Sequence, residues 1–197
     1  FVESGAVVTS GERADGIQAT SYRGDVIVDS DSVVTTGAYS RGISLRGGAY
    51  IGGPGNVTLD SGTVSTSGFY AIGIGARSNA GDIDVTSGTV TTVGKSSRGI
   101  YADANSFDGE ASGNVTVASS SVTTTGRYSV AIDARADGGN VAVTSGAVAT
   151  SGYYAAGIFV YARSNGSPGT GQVTVESLAV ETAGSSSTGI RARSEGG

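Results

Sequence analysis

One phrase recurs seven times along these 197 residues and constrains the chain more than any other feature. It reads Ser-x-x-Val-x-Thr-x-Gly-x-x-x-x-Gly-Ile. Its Val is Val7, Val33, Val64, Val90, Val122, Val148 and Val180. Thr follows two residues later, from Thr9 and Thr35 to Thr182, and then comes Gly, from Gly11 and Gly37 to Gly184. Six residues beyond each Gly stands Ile17, Ile43, Ile74, Ile100, Ile132, Ile158 or Ile190. The Gly before Ile is replaced once, by Ala131. A second phrase, Gly-Asn/Asp-Val-x-Val, falls between copies of the first, as in Gly24-Asp25-Val26-Ile27-Val28 and Gly113-Asn114-Val115-Thr116-Val117. Self-similarity at a fixed period means one structural unit stacked on itself.

Each unit carries three short alternating segments, NVTV-like, VTT-like and GIxA-like, separated by Gly and polar residues. Alternation with β-branched residues is the pattern of a strand with one dry face. With 34 Gly, 29 Ser and 21 Thr, the chain is far too poor in helix formers to be helical. The pattern predicts an all-β fold: a right-handed parallel β-helix of about seven coils with three strands per coil, spanning 1–197 as a single repeat domain. Each strand then pairs in parallel with its counterpart about 4.8 Å away, and like residues form columns. The inward Thr column is expected to bond its hydroxyls along the column. Propeller blades need longer antiparallel strands, collagen needs Gly at every third place, and left-handed hexapeptide helices need a six-residue period. None of these fits.

The Val-to-Val spacing runs 26, 31, 26, 32, 26 and 32. The extra residues of alternate units fall after the GIxA segment, at 46–54, 103–112 and 161–170. They predict a ridge of three loops along one edge, with Tyr50, Ile51, Phe107 and Tyr161 as contact candidates, weighed equally against local loop packing. A second aromatic group, Tyr39, Tyr70, Tyr128 and Tyr154, shares one turn position, interrupted by Ser96 and Ser186. It reads first as a stacking column that clamps the turns, and second as a strip that contacts sugar or protein.

Composition removes several chemistries. Cys, His, Met and Trp are absent, which leaves no disulfide, thiolate nucleophile, imidazole base or usual zinc, copper or haem ligand. Neither a cofactor nor a metal is expected. The formal charge is −5, and no basic run could neutralise a row of phosphates, so nucleic acid is not an expected partner. No apolar run approaches the roughly 20 residues of a membrane-spanning helix. The acids alternate with Asn in one column, as at Asp25, Asn56 and Asp82, which suits a turn residue better than a general acid. No catalytic residue is therefore assigned. Arg23-Gly24-Asp25 spells an integrin-type tripeptide, and Asn56-Val57-Thr58 and Asn114-Val115-Thr116 match the glycosylation sequon, but all three are products of the repeat. Flat Thr-x-Thr arrays of the ice-binding kind are broken by Val34, Ala149, Glu181 and Ala183.

Thr-x-Gly-x-x-x-x-Gly-Ile, as in Thr92 to Ile100, together with Gly-Asn-Val-Thr-Val at 113–117, resembles the passenger domains of Gram-negative autotransporter adhesins, the pertactin-like group. The resemblance spans the whole chain and is one of pattern and composition. It implies export through the outer membrane by a C-terminal β-barrel and display outside the cell. The chain begins at Phe1, inside a strand pattern, and reads as a fragment of a longer repetitive protein. The expected function is that of a non-enzymatic surface adhesin or stalk segment meeting a host or bacterial surface protein or glycan. The alternative is a structural fibre module that self-associates end to end. A polysaccharide-acting β-helix enzyme comes third.

Overall fold

The alternating residues form fourteen β-strands, with no helix among the described residues, in a computed structural model that describes residues 1–48, 55–105, 112–164 and 170–195. Seven strands have odd numbers: β1 (Val2–Ser10), β3 (Val26–Thr36), β5 (Val57–Ser67), β7 (Ile83–Val93), β9 (Val115–Thr125), β11 (Val141–Ser151) and β13 (Val173–Ala183). They form one sheet in that order. The even strands form the second: β2 (Ile17–Thr20), β4 (Arg41–Gly47), β6 (Ile72–Asn79), β8 (Arg98–Asn105), β10 (Val130–Asp137), β12 (Ala156–Arg163) and β14 (Thr188–Glu195). Every pairing is parallel and joins a strand to its counterpart one repeat away: Val33 pairs with Val64, Val64 with Val90, Ile43 with Ile74 and Ile74 with Ile100.

Each repeat holds two strands, not the expected three. The NVTV-like and VTT-like segments run together as one 11-residue strand in β3 through β13. The boundary between them survives as a skipped step in the ladder. Ser30 pairs with Ser61 and Ser32 with Thr63, while Asp31 and Gly62 between them do not pair. The alternation slips by one residue there: Val26, Val28 and Ser30 are buried on one phase, Val33 and Thr35 on the other. A strand that keeps facing one core across such a slip must turn at it.

Both sheets contribute to a single apolar cluster, including Val57, Leu59 and Val64 from β5 and Ile74 and Ala76 from β6. The Gly columns set how closely repeats approach. Gly94 has φ +148°, and a Cβ on it would lie 1.9 Å from the Gly68 carbonyl oxygen. Gly73, before Ile74, would place a Cβ 2.6 Å from the Gly99 oxygen and 2.7 Å from the Val90 methyl. The Thr column departs from expectation. Thr35, Thr66, Thr92, Thr124 and Thr150 are buried, yet their hydroxyls have no hydrogen-bond partner among the described residues. Identical rotamers on in-register parallel strands repeat at the strand spacing of about 4.8 Å, far beyond the roughly 2.8 Å a hydroxyl pair needs.

At the corner before each odd strand, a side-chain oxygen binds the next backbone. Asp25 Oδ1 accepts from the Asn56 N–H at 2.8 Å, Asn56 Oδ1 from Asp82 at 2.9 Å, and Asp82 Oδ1 from Asn114 at 2.7 Å. Asn114 and Asn140 continue the chain of bonds to Gln172, both at 3.0 Å. Asp and Asn share only an accepting oxygen, which is why they interchange here. The aspartate of Arg23-Gly24-Asp25 is a member of this ladder.

Candidate functional site

The turn leading from each odd strand into the following even strand has one plan. A Gly, of high positive φ in the first six turns, is followed by a variable residue, then by a residue in the left-handed region, then by a small one. The left-handed position holds Arg13, Tyr39, Tyr70, Ser96, Tyr128, Tyr154 and Ser186, with φ between 55° and 60°. Its N–H donates to the turn of the next repeat: Tyr39 to the Phe69 carbonyl at 2.8 Å, Tyr70 to Lys95 at 3.0 Å and Tyr128 to Tyr153 at 2.9 Å. Serines one position further on lock the layers together. Ser97 donates to the Gly68 carbonyl at 3.1 Å, Ser129 to Gly94 at 3.0 Å and Ser187 to Gly152 at 2.9 Å.

The four tyrosines of this column stand in two clusters. Tyr39 and Tyr70 stack with centroids 5.7 Å apart and planes 13° from parallel, and Phe69 meets Tyr70 edge-on at 4.2 Å. Tyr128 and Tyr154 stack at 5.7 Å and 7°, and Tyr153 meets Tyr154 edge-on at 4.2 Å. Arg13 lies 5.7 Å from the Tyr39 centroid, Lys95 5.8 Å from Phe69, and Arg127 5.5 Å from Tyr128 and 5.3 Å from Tyr153. The Tyr153 phenol is raised from its ordinary value, first by its hydrogen bond to Tyr154. All six rings remain between 37% and 50% exposed. The outcome is a strip of ring edges, hydroxyls and cations along consecutive turns, held on hydrogen-bonded backbone.

The loop ridge fares differently. Tyr50, Ile51 and Phe107 lie outside the described residues. Tyr161 is not on a loop: it belongs to β12, in register with Arg135 and Arg193. Its hydroxyl donates to Glu195 Oε2 at 2.6 Å, and that bond raises its phenol above the ordinary value. The GIxA strands run longer than three alternating residues suggest, so Arg46, Asp103 and Tyr161 are strand residues rather than the first residues of loops.

The sequence reading missed a partition of charge. The odd strands carry Glu3, Asp29, Asp31, Asp60, Asp84, Glu176 and Glu181 and no cation. The even strands carry eight of the eleven arginines (Arg41, Arg46, Arg77, Arg98, Arg135, Arg163, Arg191 and Arg193) against four carboxylates. Charge counted by segment instead of over the whole chain exposes this. Asp133, 1% exposed, is held by Arg135 at 2.7 and 2.9 Å and by Arg98 at 3.3 Å. Burial works against the Arg135 charge, but the Asp133 carboxylate outweighs it, so the guanidinium is raised above its ordinary value. Tyr101 lies against the same group, 4.6 Å below Arg98, and donates to Asp103 at 2.6 Å. No family model, curated protein or solved structure matches the chain.

Proposed function

We propose that the chain is a segment of a right-handed parallel β-helix displayed at a cell surface, a non-enzymatic adhesin or stalk whose aromatic turn strip is its contact face. In-register parallel pairing of every strand with its counterpart supports the β-helix, because consecutive strands alternate between two sheets that share one core. Seven repeats at about 4.8 Å give a stack of roughly 34 Å. The resemblance to autotransporter passengers supports export and display.

The observation that carries the contact face is the placing of bulky tyrosines in the left-handed region. That conformation costs a non-Gly residue about 1–2 kcal/mol, and a stacked aromatic pair returns about 0.5–1.5 kcal/mol. Each stack joins two such residues, about 2–4 kcal/mol of conformational cost, so stacking does not repay it and does not by itself account for tyrosine there. Ser96 and Ser186 take the same backbone conformation without a ring. Half-exposed aromatics held in a strained conformation at four turns are what a recognition surface retains.

Those serines also define the test. Tyr39→Ser, Tyr70→Ser, Tyr128→Ser and Tyr154→Ser together put a residue the turn already accepts at every aromatic position. Loss of two stacks, about 1–3 kcal/mol, should lower the thermal midpoint by roughly 2–12 °C and leave the protein folded, while binding to cells or to a glycan or protein array should fall at least about tenfold. Unchanged binding by the folded variant would remove the strip as the contact face. Turnover of a polysaccharide by the wild-type protein would replace an adhesive reading with an enzymatic one.

A further inference from the structure

On the outer face of the even sheet, between β4, β6 and β8, lies a cleft of about 270 Å³. Arg41, Arg46 and Arg77 line it, with the exposed Tyr22 as its aromatic wall, Gly75 in its floor and the buried Tyr101, 5.1 Å from the Arg77 guanidinium, behind. We propose that this cleft binds one acidic sugar unit of a polysaccharide, with the arginines gripping its carboxylate or sulfate and Tyr22 contacting its ring.

Unbalanced charge is the first argument. Among the described residues, none of the three arginines forms a salt bridge. Arg46 and Arg77 are direct register partners, so their side chains leave adjacent strands about 4.8 Å apart. Like charges placed directly opposite destabilise a sheet, and Arg46 has no carboxylate across from it, its register partners being Thr20 and Arg77. Among the described residues two carboxylates stand nearby, Asp15 and Asp103, and Asp103 is the register partner of Arg77 on β8, so it offsets part of that charge. Asp15 Oδ1 accepts from the Arg41 N–H at 2.7 Å, and Asp103 Oδ2 accepts from Tyr101 at 2.6 Å and Asn105 at 3.0 Å. A guanidinium matches carboxylate and sulfate oxygens with two parallel hydrogen bonds.

Gly75 is the second argument. Its register neighbours are Ser44 and Tyr101, its φ is not positive, and a Cβ on it would make only ordinary contacts of 3.7 Å to Ile72 and 3.8 Å to the Ile43 oxygen. Neither backbone conformation nor packing demands glycine here, unlike at Gly73 two residues earlier. A glycine in a strand interior weakens the strand. What Gly75 does provide is depth, because any side chain would rise into the cleft. The cleft of about 270 Å³ is the size of about one sugar ring, so a single unit of the ligand enters it.

The closing experiment is calorimetric titration of the full chain with three tetrasaccharides: chondroitin sulfate, hyaluronan, and an uncharged N-acetylglucosamine oligomer. Wild type should bind at least one acidic probe, weakening as salt rises from about 0.05 to 0.5 M, and should not bind the neutral one. Binding of both acidic probes assigns the carboxylate as the gripped group; binding of chondroitin sulfate alone assigns the sulfate. Gly75→Val should lose about tenfold or more in affinity while its thermal midpoint holds or rises, since valine favours strand. Arg46→Gln with Arg77→Gln should abolish binding without lowering the midpoint. The four Tyr→Ser changes in the turn strip lie on other elements and should leave this binding unchanged, so the two sites fail or stand separately. Absence of binding to both acidic probes, equal binding of the neutral probe, tighter binding of polyglutamate or single-stranded DNA, or full affinity in Gly75→Val would each overturn the proposal.

Discussion

Thr92 places its methyl group against the facing sheet, where a Cβ on Gly73 would come within 3.2 Å of it, and leaves its hydroxyl buried without a partner among the described residues. An unsatisfied buried hydroxyl costs about 1–3 kcal/mol. Thr92→Val exchanges that oxygen for a methyl of nearly the same size and should raise stability by about 1 kcal/mol, read as a higher denaturation midpoint with an unchanged slope. A loss of stability would mean the hydroxyl is bonded after all. At Gly94 the sign reverses. Alanine there must hold a φ of +148° with its methyl 1.9 Å from a carbonyl oxygen, and neither the backbone nor the neighbouring turn can yield cheaply. Gly94→Ala should cost about 3 kcal/mol or more, whereas Gly75→Ala, with only ordinary contacts, should be close to neutral.

Elements were legible from sequence wherever one residue type does one job in every repeat. The Val and Ile columns are in register and are buried in the inner repeats, and the Asn/Asp column forms its ladder, because an inward aliphatic and a corner oxygen leave no local alternative. The strand count was not legible. The slip between Ser30 and Val33 looks in sequence like a gap between two strands, but parallel neighbours keep the backbone paired on both sides of it. Of the candidate site, the turn tyrosines were readable because they share a position. The cleft was not, since Arg46 and Gly75 lie 29 positions apart in sequence and meet only through register. Tyr101 offers a test on β8. Burial first, then its bond to Asp103, raise its phenol, while Arg77 pulls it down. The folded state therefore favours the protonated form. That contribution is complete below the ordinary phenol pKa near 10 and fades as pH climbs through the raised folded value. Wild type should exceed Tyr101→Phe in thermal midpoint at neutral pH, and the gap should close in the alkaline range as tyrosinate absorbance grows. A gap that stays constant would mean that phenol ionisation is not linked to folding.

Across the whole molecule, one sheet is acidic and the other arginine-rich, so a net charge of −5 conceals two faces of opposite character. That separation is possible because each repeat contacts only its neighbours, which lets every outward column be set independently of the core. The same independence makes a strong prediction about length. Removing residues 115–140 takes out β9 and β10 and joins Asn114 to Val141, with Asn114 supplying the corner oxygen that Asn140 supplied. β7 then meets β11, whose inward residues repeat those of β9 at every position: Val115 against Val141, Val117 against Val143 and Val122 against Val148. The buried Asp133 leaves together with Arg135, so no orphaned carboxylate remains. In a stack governed by nearest neighbours, the shortened chain should stay folded, with parallel-sheet circular dichroism, a lower thermal midpoint, and a scattering length reduced by about 4.8 Å. Collapse to an unfolded chain would show that the repeats are not interchangeable layers, and the β-helix reading would go with it.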